Sequence, residues 1–171
     1  KRLFEAEKAG HTGTLDPFAT GLLPLCFGDA TKFAQMLLDA HKSYVADVHF
    51  GVRTTSGDVD GNVVATAPVA LERADIEAAL VPLRGRILQT PPMHSALKRD
   101  GRPYYSYARQ GIELTRVARE VEVERLVLRD WQPPRATLEV TCGKGTYVRV
   151  LAEDLGAALG CGAHLAALRR T

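Results

Sequence analysis

Cysteine is scarce. The 171 residues hold three, Cys26, Cys142 and Cys161, widely spaced and with no Cys-x-x-Cys pair. That odd count argues against a disulfide framework or a zinc knuckle, and points to three reduced thiols in or near a core. The five histidines (His11, His41, His49, His94, His164) are equally dispersed, with no i, i+4 pair beside a carboxylate, so no metal is expected. Long apolar runs are missing as well. None approaches the roughly 18 residues of a membrane span, and the opening KRLFEAEKAG is too charged for a secretory signal. A soluble, cytoplasmic protein is the expectation. With no initiator Met and an opening that reads as the end of a helix, the chain is expected to start inside a longer protein.

Charge of one sign is also in short supply, since the net charge is only +2. Its distribution is uneven. Between Lys98 and Arg119 six basic residues (Lys98, Arg99, Arg102, Arg109, Arg116, Arg119) stand against Asp100 and Glu113, and between Gly143 and Thr171 Lys144, Arg149, Arg169 and Arg170 stand against Glu153 and Asp154. Aromatics make up only 6% of the chain, yet Tyr104, Tyr105 and Tyr107 fall inside the first basic stretch. Cations interleaved with aromatic faces suit a polyanion that carries stackable bases, although a solvated helix face with half-buried tyrosines gives the same pattern.

A phosphate loop is absent too. VTCGKGTYVR (140 to 149) lies between an expected strand and an expected helix. A Gly five residues before the Gly-Lys pair and a Ser or Thr after the Lys would be needed, and those positions hold Leu138 and Gly145. ATP and GTP binding are therefore not expected. What remains is a flexible basic turn that delivers Tyr147 and Arg149 two positions apart, a spacing that separates them on a helix surface.

What is present is enough for one well-cored domain. Gly21 to Phe27 reads as a short buried strand, followed by a helix capped by Asp29 and running through Leu38 with Phe33, Met36 and Leu37 on one face. Ser43 to Phe50 alternates Tyr44, Ala46, Val48 and Phe50 against Val45, Asp47 and His49, a half-exposed strand. A strand near Val63 to Thr66, a helix from Glu72 to Leu83 and a strand from Arg86 to Gln89 follow. Arg119 to Trp131 and Ala136 to Cys142 read as long strands, Tyr147 to Leu159 as a helix, and Ala163 to Leu168 as a closing strand. Consecutive strands with short turns between them imply an α/β (α+β) domain with a mixed, largely antiparallel central sheet flanked by helices.

The stretch GHTGTLDPFATG (10 to 21) sets one carboxylate, Asp16, among small and turn-forming residues. On the residues alone, Asp16 reads as the Asp that closes a Leu-Asp-Pro turn.

Five motifs change that reading. GHTGTLDPFATGLL (10 to 23), KSYVADVHFG (42 to 51), RTTSGDVDG (53 to 61), PMHSALKRDGRPYYSYARQG (92 to 111) and GKGTYVRVLAEDLG (143 to 156) resemble, in order and at suitable spacing, the motifs of the bacterial tRNA pseudouridine synthase B family. GCGAHLAALRR (160 to 170) fits as well. The resemblance implies a pseudouridine synthase catalytic domain over 1 to 171, acting without cofactor or metal on the T-loop uridine at tRNA position 55, with Asp16 as nucleophile. The target nucleotide must leave the RNA stack to be reached. By the same resemblance Tyr44 stacks on the target base, Tyr147 and Leu168 line its pocket, and His11 contacts the extruded nucleotide or the gap it leaves. Residues 92 to 111 correspond to a thumb-like RNA-binding insertion, with His94 where the family commonly has Tyr. Lys98, Arg99, Arg102 and Arg109 there, and Lys144 in the basic turn, are the expected phosphate contacts.

An Asp near its ordinary pKa of about 3.9 is already ionised at neutral pH, so the site need only keep it charged in a water-poor pocket, and Arg149 is the candidate cation. Asp58 is expected either in the same hydrogen-bond network or simply in a turn. The carboxylate could add to C1′, add to the uracil ring, or take a sugar proton to give a glycal. The family's N-terminal strand and C-terminal RNA-binding PUA domain are not matched, so a fragment with weakened tRNA binding, monomeric and off the membrane, is expected. Two other functions fit parts of the pattern: a guide-RNA-dependent pseudouridine synthase, and a noncatalytic tRNA-binding or folding protein.

Overall fold

The computed structural model describes residues 2–171. In chain order the strands are β1 (Ala9–His11), β2 (Thr20–Gly21), β3 (Leu25–Phe27), β4 (Lys42–Phe50), β5 (Val52–Thr54), β6 (Val63–Thr66), β7 (Gly85–Gln89), β8 (Lys98–Arg99), β9 (Arg102–Pro103), β10 (Arg119–Gln132), β11 (Arg135–Cys142) and β12 (Ala163–Arg170). The helices are α1 (Ala34–Asp39), α2 (Arg73–Leu80), α3 (Tyr104–Ala108) and α4 (Val148–Ala158). Six strands form the main sheet in the order β2-β12-β4-β11-β10-β7, every pair antiparallel except β12 with β2. This is the mixed, largely antiparallel sheet that the short connections imply. No helix among the described residues is long and apolar enough to cross a membrane.

The period of two along the strands decides where the core lies. Ala46, Val48 and Phe50 of β4, Leu138 and Val140 of β11, and Leu165 and Leu168 of β12 all bury toward α2 and α4, which contribute Ile76, Leu80, Leu151 and Leu155 to the same cluster. Burial of each Val, Leu, Ile or Phe side chain among these is worth about 1.5 to 3 kcal/mol, which makes this layer the main support of the fold. Gly156 lets α4 come close to β12: a Cβ there would lie 2.2 Å from the Ala163 nitrogen. All three cysteines are free and buried, as expected of reduced core thiols.

Two expectations fail near the N-terminus. The strand expected over 21 to 27 is split: β2 joins the main sheet, β3 pairs with β1, and Pro24, which lacks an N–H for a ladder, lies between them. Leu22 and Leu25 are exposed rather than buried. The helix expected from Asp29 begins instead as a 3₁₀ turn over Gly28–Phe33 and becomes α-helical only from Ala34. Asp29 caps nothing there and pairs with Lys32 at 2.7 Å. The apolar face of this segment finds no core, and Met36 is 72% exposed.

Elsewhere only boundaries shift. The helix expected to reach Leu83 is α-helical to Leu80 and closes as a 3₁₀ turn that contains Pro82, while Glu72 N–H is held by the Asp75 carboxylate at 2.7 Å. The 92 to 111 segment folds as a miniature unit: the β8–β9 hairpin turns at Asp100 and Gly101, both at positive φ, and leads directly into α3. Arg102 sits 4.9 Å from the Tyr107 ring centroid and Arg109 5.4 Å from that of Tyr105, so the interleaved cations and aromatics pack on one another.

Candidate active site

The loop that carries Asp16 crosses the end of the sheet where β4, β12 and the start of α4 meet, and a cavity of about 1010 Å³ opens there. Asp16, Tyr44, Tyr147, Arg149 and Leu168 all line it, as do Asp58, Arg109 and Lys144. The loop is held in a turn by the Ala19 N–H, which donates to the Asp16 carbonyl at 2.9 Å, and its far end is tied to β12 by the Leu22 N–H donating to the Arg170 carbonyl, also at 2.9 Å.

Arg149 is 3% exposed and organises the site. Its Nε donates to Asp16 Oδ2 at 2.9 Å and its Nη2 to Asp16 Oδ1 at 3.0 Å, the two-point geometry a guanidinium can offer and an ammonium cannot. Nη1 donates to the Ser56 carbonyl at 3.1 Å and lies 3.3 Å from Asp58 Oδ2, and Nη2 also donates to the His94 carbonyl at 2.8 Å. One buried cation therefore serves two carboxylates and ties the Asp16 loop, the 53 to 61 loop and the 92 to 111 insertion into one corner. Asp58 is itself buried, accepts from Ser56 Oγ and from the Asp60 N–H, and forms a bridge with Leu165 of β12, so the network role and the turn role coincide in one residue.

Burial pushes the Asp16 carboxyl above its ordinary value, and the Arg149 guanidinium offsets only part of that effect. The expectation that the cation simply keeps the carboxylate charged is corrected in balance: desolvation is the larger effect. Tyr44 and Tyr147 are also pushed up by burial, with Arg170 opposing at Tyr44.

Tyr147 and Arg149 reach the same cavity although their spacing separates them on a helix. Tyr147 is not yet helical: it is the residue before α4, with φ −102° and ψ 110°. Its peptide is held by Gln89 of β7, which accepts from the Tyr147 N–H at 3.0 Å and donates to its carbonyl at 3.3 Å. Gln89 lies outside every motif, because a buried polar residue within a strand has no sequence signature until its partners are known; Lys42 and Arg170 fall inside quoted motifs, but residue order assigns them no role in the site. Both Lys42 and Arg170 line the cavity.

Other expected residues lie elsewhere. His11 is exposed on β1, outside the cavity lining, and its Nδ1 accepts from the Gly13 N–H at 3.3 Å. Lys98, Arg99 and Arg102 are exposed on the β8–β9 hairpin and do not line the cavity, whereas Arg109 does. Lys144 lines it too, paired with Asp39 at 2.9 Å.

The chain is similar to known proteins. Residues 1–148 match the model of the TruB family pseudouridylate synthase (N terminal domain), and residues 149–171 match the tRNA pseudouridylate synthase B C-terminal domain. The tRNA pseudouridine synthase B of Burkholderia lata is 60% identical over 171 residues, all of this chain and 53% of its own length. That of Thiobacillus denitrificans is 61% identical over the same residues and 57% of its length. The chain thus spans about half the length of these relatives. Among solved structures, a chain of a Cbf5-Nop10-Gar1 complex superposes with a TM-score of 0.75 at 31% identity, over 99% of this chain and 41% of that one. An H/ACA RNP bound to a substrate RNA containing 2'-deoxyuridine superposes at 0.69 and 27% identity, over 99% and 40%. With family models covering its whole length, the chain belongs to the TruB family of pseudouridylate synthases.

Proposed function

We propose that this chain is the catalytic part of an enzyme that isomerises uridine to pseudouridine at position 55 in the T-loop of tRNA, with Asp16 as the reacting carboxylate on a flipped-out nucleotide. The observation that carries the reading is the two-point Asp16–Arg149 pair on the wall of a cavity large enough for a nucleoside. The reaction detaches uracil from ribose at N1 and rejoins it through C5, with loss of the C5 proton and gain of one at N1, so no atoms enter or leave overall. No external oxidant or group donor is needed. Covalent assistance at C1′, addition to the ring, and removal of a sugar proton all use the same carboxylate, ionised and fixed against the nucleoside. Tyr44 supplies a face for the base, and Tyr147 and Leu168 supply further walls.

The relatives named as tRNA pseudouridine synthase B, at about 60% identity, favour a tRNA substrate over a guide-RNA-dependent reading, since the solved complexes share 27 to 31%. The test uses the full-length protein and an unmodified tRNA transcript, with cyanoethylation before mass spectrometry because the isomer has the mass of uridine. A cyanoethyl adduct at the T-loop uridine without guide RNA or partner proteins supports the reading. Binding without an adduct supports a noncatalytic tRNA-binding protein instead.

A further inference from the structure

One corner of the cavity, away from Asp16, holds two cations with no carboxylate partner. Lys42 opens β4, Arg170 closes β12, and Arg170 stands opposite Tyr44 in the register between those strands. Arg170 is 4% exposed; its Nε donates to the Leu22 carbonyl at 2.6 Å and its Nη2 to the Gly13 carbonyl at 3.3 Å. Lys42 Nζ donates to the carbonyls of Leu37, Leu38 and Ala40 at 3.1, 3.0 and 2.8 Å. All five acceptors are neutral. Among the described residues no carboxylate lies within 4.0 Å of either cation; Asp16 is engaged by Arg149 and Asp39 by Lys144.

Two like charges set in a half-dry wall repel each other and lose hydration, a combination that proteins ordinarily relieve with a counter-charge. Lys42 registers the strain: burial, and then the Arg170 charge, lower its pKa. The two side chains converge on Gly13, where a Cβ would lie 3.3 Å from Lys42 Cε and 3.6 Å from Arg170 Nη1. Gly13 has φ +127° and no side chain, so the space in front of the cations stays open to the cavity, and Gly13, Lys42, Tyr44 and Arg170 all line it. Arg170 Nη1 donates to no carbonyl or carboxylate among the described residues, and the side chain that Arg170 meets is Tyr44, which lines the same cavity.

We propose that the Gly13–Lys42–Arg170 corner is a phosphodiester subsite that takes a backbone phosphate flanking the uridine presented to Asp16. The inference rests on the RNA reading above. Division of labour follows from the donors: Lys42, with its three N–H groups committed to carbonyls, acts as a fixed charge, and Arg170 supplies the hydrogen bonds. A neutral base would not relieve the repulsion, whereas a phosphodiester brings one negative charge and two acceptor oxygens. Its distance from the base is set by the same strand pair that carries Tyr44.

The test measures binding of full-length protein to T-stem-loop RNAs that carry a single uncharged methylphosphonate at each linkage around the target uridine. One linkage is expected to weaken binding about tenfold and to flatten the salt dependence by about 0.7 log unit per log unit of salt. Lys42→Gln and Arg170→Lys are expected to weaken binding of native RNA but to cost little more when that linkage is already neutral. Uniform tolerance of every methylphosphonate overturns the subsite, as does an equal loss by the variants on native and neutralised RNA, since that pattern belongs to cations that only brace the loop. If a variant fails to fold by circular dichroism, the linkage scan on unaltered protein decides alone. Absence of pseudouridine in the cyanoethylation assay would remove the catalytic reading without touching this binding result.

Discussion

The side chain of Gln89, at the end of β7, brackets the peptide of Tyr147 from both sides, although 58 residues separate the two. Gln89 is 2% exposed, so this amide replaces the water that the peptide would otherwise need just before α4 begins. Gln89→Leu keeps most of the volume and leaves the Tyr147 N–H unpaired, while the Tyr147 carbonyl keeps the Leu151 N–H at 3.2 Å. It should cost about 1 to 3 kcal/mol of stability, read as a lower urea midpoint at unchanged slope, and should also slow single-turnover pseudouridine formation because Tyr147 lines the cavity. Wild-type rate in a measurably destabilised variant would show that the clamp supports the fold and not the site.

Asp16→Asn preserves shape while removing the carboxylate. Turnover should vanish, and tRNA affinity should stay within about tenfold, or about 1.4 kcal/mol, because phosphate contacts lie elsewhere. Pseudouridine formation at wild-type rate by the variant, followed by cyanoethylation, would remove Asp16 from the mechanism.

The burial of Asp16 fixes a sign in pH. Its folded pKa is raised, so the folded state holds the proton more tightly than the unfolded chain does; this group's contribution to stability therefore falls as pH rises from the ordinary value of 3.8 through the raised one. Activity runs the other way, since it needs the ionised form. The acid limb of the single-turnover rate should lie above the ordinary Asp range, and Arg149→Gln, which removes the offsetting cation, should move it further up while lowering the plateau. An acid limb at or below 3.8 would contradict the balance of burial over pairing.

Much of this site is legible in residue order, and the part that is not has a physical reason. Asp16, Tyr44, Tyr147, Arg149 and Leu168 lie in contiguous motifs, and the structure gathers all five around one cavity. The β4 alternation is legible because one face is buried and the other is not. The exposed Phe33, Met36 and Leu37 mislead because periodicity reports an apolar stripe and not what covers it. Helical spacing separates Tyr147 from Arg149, but it does not yet apply at Tyr147, whose backbone is still extended. Gln89 acts through the Tyr147 N–H and carbonyl, groups that every residue carries and no motif can mark, and the meeting of Lys42 with Arg170, 128 positions apart within two motifs, shows only once the strands are paired.

The basic hairpin offers a separate measurement. Lys98, Arg99 and Arg102 are exposed and lie outside the cavity, as groups that meet the phosphates of an RNA lying over the opening should. Their joint replacement by Ala should flatten the dependence of log affinity on log salt by up to about 0.7 to 0.9 for each phosphate no longer neutralised. Arg102 also packs on Tyr107, worth about 0.5 to 1 kcal/mol at an exposed site, so Arg102→Lys serves as the control that keeps charge. An unchanged slope would place the hairpin away from RNA.

Tyr44 stands between two roles that different atoms would perform, stacking by the ring and proton transfer by the hydroxyl. Tyr44→Phe keeps the face, worth about 1 to 3 kcal/mol per stacked base by alanine substitution, and deletes the hydroxyl, whose contribution to proton transfer would be about a hundredfold. Burial raises the Tyr44 pKa and Arg170 opposes that rise, so the phenol is held neutral beside a cation that would welcome its ionised form. A neutral phenol has no basic site for the C5 proton. It serves only by first giving its own proton to N1, after which the phenolate, stabilised by that cation, takes the proton from C5, which ties the rate to Arg170 as well as to the hydroxyl. Tyr44→Phe should therefore lower the single-turnover rate far more than tRNA affinity, and Tyr44→Leu should lower it further by removing the aromatic face. A Phe enzyme as fast as wild type would exclude the hydroxyl, and a Leu enzyme as fast as the Phe enzyme would exclude a separate contribution from the ring.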